Sequence, residues 1–126
     1  DLGCIVGMAV IDYIQKHNLL DHVEKMGRKF QAGFDSFLEN YPSLLLEVRR
    51  KGLMMGLQYT NESIGPRMTK KLADRGVIAI YTGNDPSICR LMPSLVITPE
   101  EVDFVLTALA DSMKELSGEA GLGKND

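Results

Sequence analysis

Leu19, Val23, Met26, Phe30, Phe34 and Phe37 recur at steps of three and four. That spacing predicts an amphipathic helix from Leu19 to about Glu39 with one stripe facing a core, ended by Tyr41-Pro42-Ser43. Asp21 with Glu24 three residues later is a candidate capping box for it. Upstream, Leu2 to Ile11 carries no charge and no strongly polar group. Cys4 to His17 reads as a helix, with Asn18 as its stop, and its first part, up to Ile11, is apolar all round. Such a helix needs burial on every side, more than one small domain supplies. The expected cover is the rest of a longer chain or a partner subunit.

The period then changes to two. Leu46 and Val48 alternate with Glu47 and Arg49; after Lys51-Gly52, Leu53, Met55, Leu57 and Tyr59 alternate with Met54, Gly56 and Gln58. Two strands joined by a tight turn are predicted. Gly56 weakens the second strand and suggests a bulge or a close approach by another backbone. Pro66 suits the first turn of a short helix through Met68, Leu72 and Ala73, with Gly76 as its C′ residue. Val77 to Tyr81 reads as a buried strand, Thr82 to Pro86 as a turn, and Ser87 to Met92 as another strand. Thr98, Pro99 and Glu101 form a helix start with a capping box. Val102, Val105, Leu106, Leu109, Met113 and Leu116 give that helix its buried stripe, and Ser117 to Asp126 reads as a frayed tail. The order α-α-β-β-α-β-β-α predicts an α+β fold, a small and mostly antiparallel sheet packed against helices.

Composition narrows the function classes. At 126 residues with 44% hydrophobic content the chain has room for one domain and a real core. A net charge of −3 argues against a nucleic-acid or anionic-membrane surface, and no apolar run approaches the roughly 20 residues of a membrane helix. Cys4 and Cys89 make no disulfide framework, which points to a reducing, cytoplasmic setting. The chain opens on Asp1 rather than Met, which reads as a processed or cut chain; the basic segment of a signal peptide is missing.

Candidate chemistry is sparse. His17 and His22, five apart with no cysteine nearby, are poor metal ligands and read as surface residues. Cys4 and Cys89 read as buried small apolar residues. Arg49, Arg50 and Lys51 read as a solvated turn. Arg90 differs: it lies within the apolar run Cys89 to Leu95, where a guanidinium is costly unless paired. It either holds a buried structural carboxylate or grips the carboxylate of a substrate through its two-pronged fork.

Four stretches together resemble the C-terminal segment of class III aminotransferases, which are fold type I pyridoxal-phosphate enzymes. Leu2 to Asp12 resembles the small-residue-rich helix that follows the family's glycine-rich active-site segment. Val48-Arg49-Arg50-Lys51-Gly52-Leu53-Met54-Met55-Gly56 resembles its V-R-G-[KR]-G-L-M-x-G hairpin. Leu72-Ala73-Asp74-Arg75-Gly76-Val77 is similar to its short helix leading into a strand. Ile88 to Asp103 resembles I-x-R-x-x-P-[PS]-L-x-I-T-x-E-E-[IV]-D. The chain departs at Arg50, where the family has glycine; a left-handed backbone there would make arginine costly.

The resemblance implies a domain plan. Residues 1–18 form an apolar helix linking to an upstream large domain, residues 19–116 a small C-terminal domain, and residues 117–126 a flexible tail. It implies a pyridoxal 5'-phosphate-dependent homodimer that moves an amino group from an amino acid or amine to a 2-oxo acid. Arg90 matches the arginine that takes the substrate carboxylate in many members. The Schiff-base lysine and the other cofactor-binding residues lie upstream in the family, so this chain alone is expected to be inert and to lack cofactor-binding and catalytic residues. Two alternatives stay open: a stand-alone ligand- or protein-binding module, and another fold type I activity such as an aminomutase, racemase or decarboxylase.

Overall fold

The computed structural model describes residues 1–122. The elements run α1 (Leu2–Lys16), α2 (Leu19–Asn40), β1 (Leu45–Lys51), β2 (Met54–Tyr59), α3 (Ile64–Asp74), β3 (Ile80–Tyr81), β4 (Ile88–Leu91) and α4 (Pro99–Leu122). The strands form one antiparallel sheet in the order β1-β2-β4-β3. This is the predicted α+β architecture.

The period-two pattern sorts the sheet into two faces. Met55, Leu57 and Tyr59 of β2 and Cys89 and Leu91 of β4 are buried. They pack with Met26, Phe30, Phe34 and Phe37 of α2, Met68 and Leu72 of α3, and Val102, Leu109, Met113 and Leu116 of α4. Phe30 and Phe34 stack with ring centroids 5.7 Å apart. Helices α2, α3 and α4 therefore lie on one face, and the residues between the buried ones point to the other, uncovered side.

Local chemistry sets the element ends. Thr98 and Glu101 make the predicted reciprocal box: the Glu101 amide donates to Thr98 Oγ1 at 3.2 Å, and the Thr98 amide to Glu101 Oε2 at 2.8 Å. The Asp21–Glu24 box does not form. Asn18 precedes α2 in the left-handed conformation, φ 49°, and its amide group donates to Asp21. The β1–β2 loop is two residues, and its left-handed position, φ 59°, is Gly52. Arg50 therefore bears no backbone penalty and pairs with Met55 inside the strand.

Three further expectations are corrected. The bulge lies in β1, between Leu45 and Glu47, while Gly56 sits in regular pairing. Residues 77–81 are not a buried strand: only Ile80 and Tyr81 pair, at the sheet edge, and Ile78 is 94% exposed. Val77 and Ala79 point inward, so the apolar run alternates at a boundary instead of crossing the core. Past Leu116, where fraying was expected, α4 continues to Leu122, and Glu119 pairs with Arg67 and Lys71 of α3. Residues 123–126 of the expected tail lie outside the described residues.

Helix α1 buries no residue. Leu2, Ile5, Val6, Met8, Val10 and Ile11 are all more than half exposed. Val6, Val10 and Tyr13 line an apolar groove with Leu19, Leu95 and Val96. No helix of the described residues is long and apolar enough to cross a membrane.

Candidate carboxylate site on the open sheet face

Strand β4 places Arg90 by simple alternation. Cys89 and Leu91 point into the core, so Arg90 points out, on the face without helices. It is exposed, and among the described residues it makes no hydrogen bond or ion pair. The expectation of a buried structural carboxylate is corrected: an arginine on the outer face keeps its charge in solvent and needs no partner from its own core.

Pairing places further groups around it. Arg49, Gly56, Arg90 and Ile80 are successive partners across β1, β2, β4 and β3. They form one cross-strand row with every side chain on the open face. Arg49 and Arg90 stand two strand spacings apart, roughly 9–10 Å between Cα atoms, with the side-chain-free Gly56 between them. A cleft of about 400 Å³ lies over this row, bounded by Arg49, Lys51, Met54, Gly56, Ile88 and Arg90. Its ionisable lining is cationic. Arg49 is partly satisfied, with Nη2 donating to Gln58 Oε1 at 2.9 Å and Nε lying 3.8 Å from Glu47 Oε2; Arg90 is free. An anion entering the cleft meets one unpaired guanidinium and a second cation opposite, a pattern suited to a carboxylate.

Arg49 and Lys51 were missed as site residues because the basic triplet reads as a turn. Their alternation with Val48 and Arg50 carries the missing signal: β1 puts positions 49 and 51 on the same face as Gly56. Arg50 goes the other way. Its side chain is only 15% exposed, with Nη1 donating to the Gly52 carbonyl at 3.1 Å and Nη2 lying 3.6 Å from Glu24.

The other sequence candidates lie elsewhere. Cys89 is buried, and burial pushes its thiol up to about 11, so at neutral pH it is protonated and a poor nucleophile. Burial likewise raises the neighbouring Tyr59 hydroxyl, with the Cys89 charge adding to it. Cys4 is exposed on α1, contrary to the expectation of a core residue. The His22 ring meets the Ile97 carbonyl at 2.8 Å, and His17 packs on Tyr13. No group of three metal-capable side chains exists among the described residues. A larger hollow of about 540 Å³ runs between Gly76–Ile78 and the start of α4. The one ionisable residue lining it, Glu101, is occupied by the Thr98 box.

Comparison with known proteins agrees with this fold. The sequence pattern of the family Aminotransferase class-III matches residues 1–113. An uncharacterized aminotransferase of Archaeoglobus fulgidus is 29% identical over 90% of this chain and 27% of its own length. An acetylornithine aminotransferase of Caldanaerobacter subterraneus is 30% identical over 91% of the chain and 28% of its own. Among solved structures, the acetylornithine aminotransferase from Elizabethkingia anophelis superposes with a TM-score of 0.82 at 29% identity, over 90% of this chain and 30% of that one. The ornithine aminotransferase from Toxoplasma gondii superposes with 0.83 at 25% identity, over 94% and 28%. The chain belongs to the class III aminotransferase family. It spans between a quarter and a third of the length of these relatives.

Pyridoxal phosphate, the cofactor of that family, does not fit the cleft residues alone. The lining has no carboxylate to face a pyridine nitrogen. What the cleft does hold is a guanidinium without a partner among the described residues.

Proposed function

We propose that this chain is the substrate-carboxylate portion of a pyridoxal-phosphate-dependent aminotransferase. The longer enzyme moves an amino group between an amino acid or amine and a 2-oxo acid. The carrying observation is Arg90: exposed on the helix-free sheet face and unpaired among the described residues. Its guanidinium orients the carboxylate by two parallel hydrogen bonds, which fixes the plane of the substrate as well as its position. The cofactor supplies an electron sink and comes with residues outside this chain.

The same reading covers the rest of the chain. Residues 1–18 are a connecting helix whose apolar surface packs on a large domain, and residues 19–116 are the small domain. The enzyme is a cytoplasmic homodimer, and the isolated chain is inert. The relative named for acetylornithine supports an amine-bearing donor.

The test is kinetic, in the full-length enzyme. Arg90→Gln removes a charge-assisted pair, so kcat/KM for a carboxylate acceptor falls about tenfold or more. Arg90→Lys recovers only part, because an ammonium lacks the fork. Cofactor absorbance stays unchanged in both. Unchanged acceptor kinetics would remove Arg90 from the site.

A further inference from the structure

Nothing among the described residues requires Gly56 to be glycine. It pairs regularly with Arg49 and Arg90, outside the bulge, and is not among the glycines with positive φ. A Cβ built there would meet only Ile88 Cγ2, at 3.7 Å, an ordinary contact. Gly3, Gly7, Gly83 and Gly118 also have open space around them, but none of them lies in a strand; three packed glycines differ. A Cβ at Gly27 would strike Arg50 and the Gly52 carbonyl, at Gly33 the Leu106 side chain, and at Gly65 the Pro86 carbonyl. Their size is dictated by their own neighbours, whereas that of Gly56 is not. A mid-strand glycine also weakens a strand. Its missing side chain is therefore explained by something that approaches the strand from outside.

That approach runs between two guanidiniums. Arg49 is held toward Gln58 and Glu47, while Arg90 has no partner among the described residues. We propose that Gly56 is a specificity-determining residue: it forms the floor on which a carboxylate held by Arg90 rests, and its missing side chain sets how deep that carboxylate sits. The ligand class is a carboxylate whose carbon skeleton lies against Met54 and Ile88. The inference builds on the Arg90 reading.

The test uses the 126-residue chain, with acetate as the probe. Sodium acetate replaces sodium chloride at fixed ionic strength while the amide spectrum is followed. Saturable shifts are expected at Gly56, Leu57 and Arg90. Arg90→Gln abolishes them. Gly56→Val weakens acetate binding at least tenfold without lowering Tm, since a β-branched residue suits a strand, and Gly56→Ala falls between. Wild-type affinity in both Gly56 variants, with Arg90→Gln still defective, overturns the floor and leaves Arg90 standing. Loss in Gly56→Val with none in Arg90→Gln overturns both readings. No saturable shift in the wild-type chain overturns the floor, and the role of Arg90 is then decided by the acceptor kinetics of the full-length enzyme.

Discussion

Arg50 lies across Gly27. A Cβ at Gly27 would overlap Arg50 Nη1 and come within 2.7 Å of the Gly52 carbonyl oxygen. The same guanidinium donates to that carbonyl and reaches Gln31 Oε1 through Nε at 3.4 Å. It ties the β1–β2 hairpin to α2, so the departure from the family's glycine is matched by a contact. Gly27→Ala is expected to cost about 1–3 kcal/mol by overpacking, read from urea unfolding. Adding Arg50→Ala recovers only part, because the Gly52 oxygen still blocks the methyl. Full recovery would show the guanidinium to be the whole obstacle.

An ion-pair ladder joins α3 to the end of α4. Lys71 Nζ lies 2.9 Å from both Glu115 and Glu119, with Arg75 on Glu115 and Arg67 on Glu119. Hydrogen bonds from Lys71, then from Arg75 or Arg67, hold both carboxyls below their ordinary value of 4.5. Their contribution is present above that value and is lost as pH falls through the lowered folded values. Lys71 is raised from 10.5, by its bonds to Glu119 and Glu115; its contribution is present below 10.5 and is lost as pH rises through the folded value. Protection of the amides at the end of α4, taken relative to the intrinsic exchange rate at each pH, should fall as pH drops below 4.5 and in high salt. A Glu115→Gln, Glu119→Gln double variant should exchange fast already at neutral pH and change less on acidification. Identical acid profiles would mean the ladder does not hold the helix.

Thr98→Ala should destabilise the chain by about 1 kcal/mol, because it removes the acceptor for the Glu101 amide. Thr98→Ser should restore most of that. Equal losses in thermal denaturation would place the effect in the threonine methyl instead.

The exposed apolar surface of α1 should drive self-association of this chain. Sedimentation at rising concentration should show species larger than a monomer. Ile5→Lys should reduce them while changing stability by no more than about 0.5 kcal/mol, since Ile5 is exposed. A monomer at every concentration would count against the need for a cover.

What the sequence revealed was local. The α2 stripe and the Thr98 box depend on residues within a turn or two, and both stand as read. The strand at 77–81 failed because a short apolar run looks the same at the edge as in the centre of a sheet; only pairing with Arg90 and Cys89 reveals the edge. Arg90 reads as costly unless paired because its neighbours are apolar. The alternation Cys89 in, Arg90 out, Leu91 in was available, but apolar context outweighed it. The tie from Arg50 to Gly27 spans 23 positions and leaves no local trace.

The helices cover one side of the sheet and leave the other bare. A survey of substitutions scored by protein abundance would therefore register half of β4. Cys89 and Leu91 would be intolerant, while Ile88 and Arg90 would pass as neutral. If Arg90 holds a substrate carboxylate as proposed, mutational damage on the bare side would be silent in expression and would surface only in turnover of the full-length enzyme, so a folded and plentiful variant is no assurance of a working one.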